Sequence, residues 1–380
     1  MLIKNCKIFD ATDQNCHTSI LIEDGIIKRI GHIQPDSLNC PVLDAGGRII
    51  SPGFIDVHIQ GCGGCDVLDA KIDSLKTISK TCAMFGTTGF IATTVFRPKQ
   101  SNEHITLAAE CVNRDLGGAN LLGIHLEGPF ISPARRGMIQ TDSIGSSSMQ
   151  MLDRIFEITK GRLSIMTIAP ELPNTLDIIR YLVKSKVVAS FGHSNATYEE
   201  TLCGFDAGIS HVTHLFNAMP QLHHRLPGPL PAIFQTKHVT AQLIPDGVHI
   251  HPAVLKMAFD MLGCARSVPI TDGLQAMGMP DGKYIYNGIE YESKEGVARY
   301  KDGTLIGTAV GMNQLLARLM EFTGCSFVVA VKTVAENPAL ILGLTNKGAI
   351  AVGKDADLVL FDADLSVYTT IVAAKVVYQK

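Results

Sequence analysis

Residues 51–64 read SPGFIDVHIQGCGG. An apolar run introduced by Pro52 and Gly53 carries Asp56, His58 and Gln60 before it ends in a glycine cluster. In a strand, residues i, i+2 and i+4 share one face. A strand otherwise built for burial therefore lines one face with a carboxylate, an imidazole and an amide. Each must find a partner once it leaves water. Either the three are satisfied structurally or they hold something.

The same kind of run recurs along the chain. GFIDVHI, TGFIATTVF, LLGIHLEG, LSIMTIAPE, VVASFGHS, GISHVTHLF, VTAQLIPDG and SVPITDG are eight strand candidates, separated by amphipathic stretches such as KIDSLKTISKTCAMFG and ELPNTLDIIRYLVKSK. Eight β/α units in succession are what a (β/α)8 barrel requires. A doubly wound sheet would also alternate, but the glycine-rich dinucleotide turn after its first strand is missing. The polar residues that interrupt the runs sit at their C-terminal ends: His58 and Gln60, His125 and Glu127, His193, His214, Asp246 with His249, and Asp272. In such a barrel that end is the active-site face.

Both chain ends are β-rich. LIKNCKIFD, TSILIEDGIIKRIG and VLDAGGRIISPG open the chain, and GAIAVGKDADLVLFDADLSVYTTIVAAKVVYQK closes it; Glu23-Asp24-Gly25 is a hairpin signal. The expected architecture is α/β: a TIM-like catalytic barrel over residues 51–345, with a small β-sandwich module built from residues 1–50 plus 346–380.

Composition narrows the function classes. Of 380 residues, 46% are hydrophobic and 18% charged, which suits a buried core rather than disorder. A formal net charge of −3 leaves no electrostatic footprint for nucleic acid or an anionic membrane. No run approaches the roughly 18 apolar residues of a membrane span. Lys4 and Asp10 break the first ten residues, so these are not a secretory signal. A cytoplasmic protein is expected. The ten cysteines read as reduced, mostly small buried hydrophobes. Cys62 and Cys65 form one C-x-x-C, but a zinc ribbon needs a second pair and none exists, so a glycine turn is expected there.

Glu, His, His and Asp from separate strands, meeting at one mouth, suit a divalent metal. Singly, each has a plainer reading: a buried histidine is usually a hydrogen-bonded core residue, and a strand-end aspartate usually caps a helix. A set of them at the ends of several strands is harder to explain that way.

The motifs PGFIDVHIQG, GIHLEGPFIS, FGHSNATYEE, THLFNAMPQLHHRLPG, IPDGVHIHP and ITDG, in this order, resemble those of the amidohydrolase superfamily. More narrowly they are similar to its N-acetylglucosamine-6-phosphate deacetylases, and the likeness runs nearly the whole chain. The resemblance implies hydrolysis of the N-acetyl group to give acetate and glucosamine 6-phosphate. It makes Glu127, His193 and His214 the ligands of one divalent metal, first Zn2+, with Fe2+, Mn2+ or Co2+ as alternatives, and makes Asp272 the acid/base. It places Asn217, the Ala218 backbone, Arg225 and His249 at the sugar phosphate, with Met138, Ile139, Ile306 and Gly307 along the substrate cleft. It also implies a homodimer with a small-molecule substrate and no nucleic-acid or membrane partner.

The chemistry agrees. An acetamide is a poor electrophile with a poor leaving group. A metal can bring the pKa of a bound water toward about 7, and such a metal with His249 could polarise the carbonyl. Asp272 could take the water's proton and hand it to the departing amine. Arg225 offers a fork-shaped cation for phosphate, while His223 and His224 beside it read as solvated loop residues.

Two departures stand out. Many amidohydrolases carry H-x-H at the first strand and bind two metals; here the second position is Gln60, so the His58 side is expected to be at most weakly occupied. The family's Gly-x-His after HLEGPF is Gly137-Met138-Ile139 here, which leaves the sugar's identity open. N-acetylgalactosamine 6-phosphate is the close alternative and a cyclic amide the more distant one. A barrel retired to a binding role would be expected to have lost Asp272 or the His193/His214 pair, and both are intact.

Overall fold

The structure is a computed structural model that describes residues 1–9, 15–34 and 40–380. Residues 10–14 and 35–39 of the N-terminal β segment lie outside the described residues.

Eight parallel strands follow one another around the barrel in chain order: Phe54–Ile59, Thr87–Thr94, Asn120–Glu127, Leu163–Ile168, Val188–Phe191, His211–Val212, Thr240–Leu243 and Ser267–Pro269. All eight expected strands are present. The ring closes where Ile59 bridges Gly273 and the Asp272 N–H donates to the His58 carbonyl at 3.0 Å. Every residue of the first and second strands is buried, because side chains fill the interior and helices cover the outside. The outer helices show one-sided burial. Thr175–Lys184, for example, buries Ile178, Ile179 and Leu182 and leaves Asp177 and Arg180 in solvent.

The chain ends form a separate sheet. Its order is Lys375–Gln379, Val367–Val372, Leu358–Phe361, Ile49–Pro52, Leu2–Phe9, Asn15–Glu23, Ile26–Gly31, with Val42–Asp44 also paired to Leu2–Phe9. The two ends meet where Ile49–Pro52 runs antiparallel to Leu358–Phe361. Ile3, Ile20, Ile22, Ile50, Leu358 and Leu360 form its core. Glu23 pairs with Ile26 across Asp24 and Gly25, both at positive φ, as the hairpin signal implied. Cys62 and Cys65 pair across Gly63 and Gly64, both at positive φ, so this C-x-x-C is a glycine turn.

A four-stranded antiparallel sheet was not expected. It comprises Gly282–Tyr286, Ile289–Lys294, Val297–Tyr300 and Leu305–Thr308. Its turns at Asn287-Gly288 and Glu295-Gly296 have positive φ at both residues, the geometry that suits twisted hairpins. Its last strand is tied to the eighth barrel strand through a Gly273–Thr308 bridge, which brings residues 305–306 to the barrel mouth. Among the described residues, no helix is long and apolar enough to cross a membrane.

Candidate metal centre and cleft

Glu127 ends the third strand, and His193 and His214 stand just past the fifth and sixth. Their ligand atoms lie within 4.8 Å of one another. Glu127 Oε1 is 2.9 Å from both His193 Nε2 and His214 Nε2, and these two nitrogens are 3.1 Å apart. The His193 Nδ1–H donates to the Arg135 carbonyl at 2.8 Å. With Nδ1 donating there, His193 turns Nε2 toward a carboxylate and a second imidazole. A buried carboxylate facing two imidazole nitrogens is balanced by positive charge, either as protons on the rings or as a metal ion held in their place. Electrostatics point the same way. Burial pushes Glu127 up, but the facing His193 and His58 and the hydrogen bonds from His193 and His214 pull its carboxyl well below the usual range. Burial pushes His214 down, yet Glu127 and Asp272 hold it above its ordinary value. The residues present thus fit a divalent metal.

The backbone is held against its preference at these positions. His193 (φ 47°), His214 (φ 27°) and Asp272 (φ 47°) are all left-handed. Such residues cost about 1–3 kcal/mol each and cluster at functional sites.

Asp56, His58 and Gln60 have separate roles. Asp56 Oδ2 accepts from the Thr271 hydroxyl at 2.5 Å, and Oδ1 from the His58 N–H at 3.2 Å, stapling the first strand to the end of the eighth. Burial raises its carboxyl to about 7. His58 Nδ1 donates to Gln242 Oε1 at 3.0 Å, leaving Nε2 as an acceptor 3.3 Å from Asp272 Oδ1. Gln60 Nε2 bridges the two, 3.0 Å from Asp272 Oδ1 and 3.3 Å from His58 Nε2. A carboxylate only accepts, so the amide must present its nitrogen there. Gln60 therefore places a hydrogen-bond donor, not a ligand oxygen, where a second cation would bind.

A cleft of about 210 Å³ opens over this group, lined by Glu127, His193, His214, Asp272, Asn217, Ala218, His249, Gly137, Met138, Leu305 and Ile306. Asn217 Nδ2 donates to the His214 and Leu215 carbonyls and so braces the turn that carries a ligand. Three expected positions do not line it. Ile139 is fully buried beside Val95 and Ile131, because an apolar side chain gains more in that cluster than at a wet mouth; Met138 meets the cleft instead. Gly307 supports it from behind: a Cβ there would approach the Asp272 carbonyl oxygen to 2.5 Å, and its φ is +142°. Arg225 stands on an exposed stretch, residues 221–226, with Leu222 and Leu226 also exposed.

Other strand-end groups prove structural. His125 Nε2 is 2.7 Å from the Thr167 hydroxyl, which meets Thr213, which meets Ser190, all buried. Burial holds His125 well below its ordinary value, so it is a neutral core histidine. Sequence reasoning missed Gln242, which accepts from both His58 Nδ1 and the His214 N–H. It also gave Asp246 no role, although this carboxylate grips His249 at 2.6 Å; the D-x-x-H spacing was the available signal.

A parallel barrel with a buried Glu–His–His cluster and a neighbouring aspartate at its C-terminal mouth defines a metal-dependent hydrolase. Residues 49–377 match the Amidohydrolase family, and the chain belongs to this family of metal-dependent hydrolases acting on amide bonds. Among similar proteins is an N-acetylglucosamine-6-phosphate deacetylase of Bacillus subtilis, 34% identical over 389 residues covering 100% of this chain and 97% of the relative. An N-acetylgalactosamine-6-phosphate deacetylase of Escherichia coli O157:H7 is 33% identical over 351 residues, 91% of each chain. The crystal structure of N-acetyl-D-glucosamine-6-phosphate deacetylase from Mycobacterium smegmatis superposes with a TM-score of 0.91 at 31% identity, covering 100% of both chains.

Proposed function

We propose that the protein hydrolyses the N-acetyl group of N-acetylglucosamine 6-phosphate, releasing acetate and glucosamine 6-phosphate. The observation that carries this reading is the placement of Asp272 beside the Glu127–His193–His214 cluster in one cleft. Similar proteins named for this activity, over essentially the full chain length, support the substrate.

Glu127, His193 and His214 hold one divalent metal in this proposal, Zn2+ first, and the metal when bound acidifies water and polarises the amide carbonyl. Asp272 accepts a proton from the attacking water and passes it to the amine nitrogen as the C–N bond breaks. The Gln60 amide steadies its carboxylate by donating to Oδ1 at 3.0 Å. His249 contributes a hydrogen bond to the carbonyl oxygen as charge develops. The apolar Met138, Leu305 and Ile306 exclude water from the rest of the cleft. Arg225 reads the phosphate. It lies outside the cleft of a single chain, so this role goes together with the proposed homodimer, in which the 221–226 stretch of one copy serves the cleft of the other. We place the enzyme in the cytoplasm.

Acetate release from N-acetylglucosamine 6-phosphate and N-acetylgalactosamine 6-phosphate, with and without added metal, tests the reading. The glucosamine series should show the higher kcat/KM. The reverse order selects the galactosamine series, and no release from either rejects the reaction.

A further inference from the structure

We infer that Asp246 is a positioning residue that sets the protonation pattern of His249 and thereby makes Nε2–H the donor offered to the substrate. The inference rests on the deacetylase reading for what His249 meets, but the Asp246–His249 pair stands on geometry alone.

Asp246 and His249 share the loop after the seventh strand. Asp246 Oδ2 is 2.6 Å from His249 Nδ1, and Oδ1 accepts the N–H groups of Val248 (2.9 Å) and His249 (2.8 Å). The Asp246 side chain has 0% exposure and that of His249 4%. Burial pushes the Asp246 carboxyl up, but the His249 ring and the two backbone N–H groups hold it below the usual range. It is a fixed buried anion. A carboxylate only accepts, so Nδ1 carries a proton and Nε2 is the nitrogen left for the cleft. Among the described residues, no lysine or arginine side chain forms an ion pair with this carboxylate. Arg318, from the helix Met312–Thr323, donates at 3.0 Å to the Asp246 backbone carbonyl and so anchors the turn.

A buried carboxylate without a permanent cation stabilises the positive charge that the ring gains when Nε2 also takes a proton. The aspartate of a Ser-His-Asp triad does the same for its histidine. The doubly protonated ring then donates Nε2–H with full charge, while its neutral form offers only a lone pair there. The other titratable groups around the ring are Glu127, His193, His214 and Asp272 lining the same cleft, with Arg318 behind the turn. His251, two residues on, has its Nδ1 occupied by the Ala253 N–H at the start of the helix Pro252–Leu262.

Asp246→Asn tests this. The two backbone N–H groups keep the amide oxygen, so the amide N–H faces His249 Nδ1 and drives the ring proton to Nε2, leaving a neutral donor. In the metal-loaded enzyme, kcat should fall about tenfold or more, less than the full loss of one oxyanion donor, with KM for the sugar phosphate nearly unchanged. The pH dependence of kcat should also differ between the wild type and the variant. Ring-nitrogen NMR of histidine-labelled protein should find Nδ1 of His249 protonated in the wild type and unprotonated in the variant. An unprotonated wild-type Nδ1 overturns the inference, and so does a variant with wild-type kcat and pH profile. If the variant does not fold, the wild-type spectrum alone decides. If neither sugar phosphate releases acetate, the functional reading fails while the spectrum still judges the pair.

Discussion

Replacing Asp272 with asparagine separates a catalytic carboxylate from a structural one with little collateral damage. Its Oδ1 accepts from Gln60 Nε2 at 3.0 Å, and an asparagine oxygen can take the same bond. Its backbone joins the strands through bonds from its own N–H to His58 O and from Thr308 N–H to its carbonyl, which the side chain does not alter. At φ 47°, asparagine is among the residues that tolerate the left-handed region best, whereas alanine would add strain. The competing role, a helix cap worth about 1 kcal/mol, finds no backbone N–H among the carboxylate's hydrogen-bond partners in the structure. Stability and metal content should therefore stay close to wild type. Activity should fall at least about 10²-fold, the lower end for lost general acid–base catalysis, or about 2.7 kcal/mol of barrier. Acetate release at saturating metal gives kcat, thermal unfolding gives stability, and elemental analysis of dialysed protein gives metal content. A variant that turns over near the wild-type rate with its metal in place would refute the acid/base role.

Dialysed protein should retain one divalent metal per chain, and Gln60→His, which replaces a donor with a ligand beside His58, should raise that toward two; an unchanged ratio in the variant would sink the argument about Gln60. Chelation should lower Tm, since a ligand bound only by the native state at a hundred times its Kd contributes about 2.7 kcal/mol. Arg225→Ala should cost at least about tenfold in kcat/KM on the phosphorylated sugar, the lower end for a charge-assisted bidentate contact, and little on the unphosphorylated one; equal losses on both would reject the phosphate role. Asp66 tests pH linkage away from the metal. Burial raises its carboxyl from 3.8 to about 7, so its contribution to stability is complete below 3.8 and is lost as pH rises through about 7. Asp66→Asn still accepts the Leu68 N–H and cannot ionise, so its Tm relative to wild type should climb between about pH 4 and 7 and level off above; a constant difference would show that Asp66 does not titrate in this range.

The eight barrel strands could be read from the sequence because a strand buried on both faces leaves an unbroken apolar run, and polar residues then punctuate only its functional end. The 282–308 sheet was harder to see, although its hairpin dipeptides were present, since short half-exposed strands give a weak alternating pattern. Ile139 and Arg225 were placed by likeness to a motif, and their positions depend on how loops pack after the strands are set, which spacing does not encode. The finer limit lies within the strands themselves. His125 and Glu127 are two residues apart on one face, as are Asp56 and His58. Yet His125 is locked to the Thr93 and Thr167 hydroxyls, and Asp56 to Thr271, while Glu127 and His58 meet in the group around Asp272. A period of two tells which face a residue takes but not which layer of the barrel it reaches. One step along that face separates a neutral, hydrogen-bonded core group from a member of the candidate metal site. Only the partners that other strands bring to the same height decide between them.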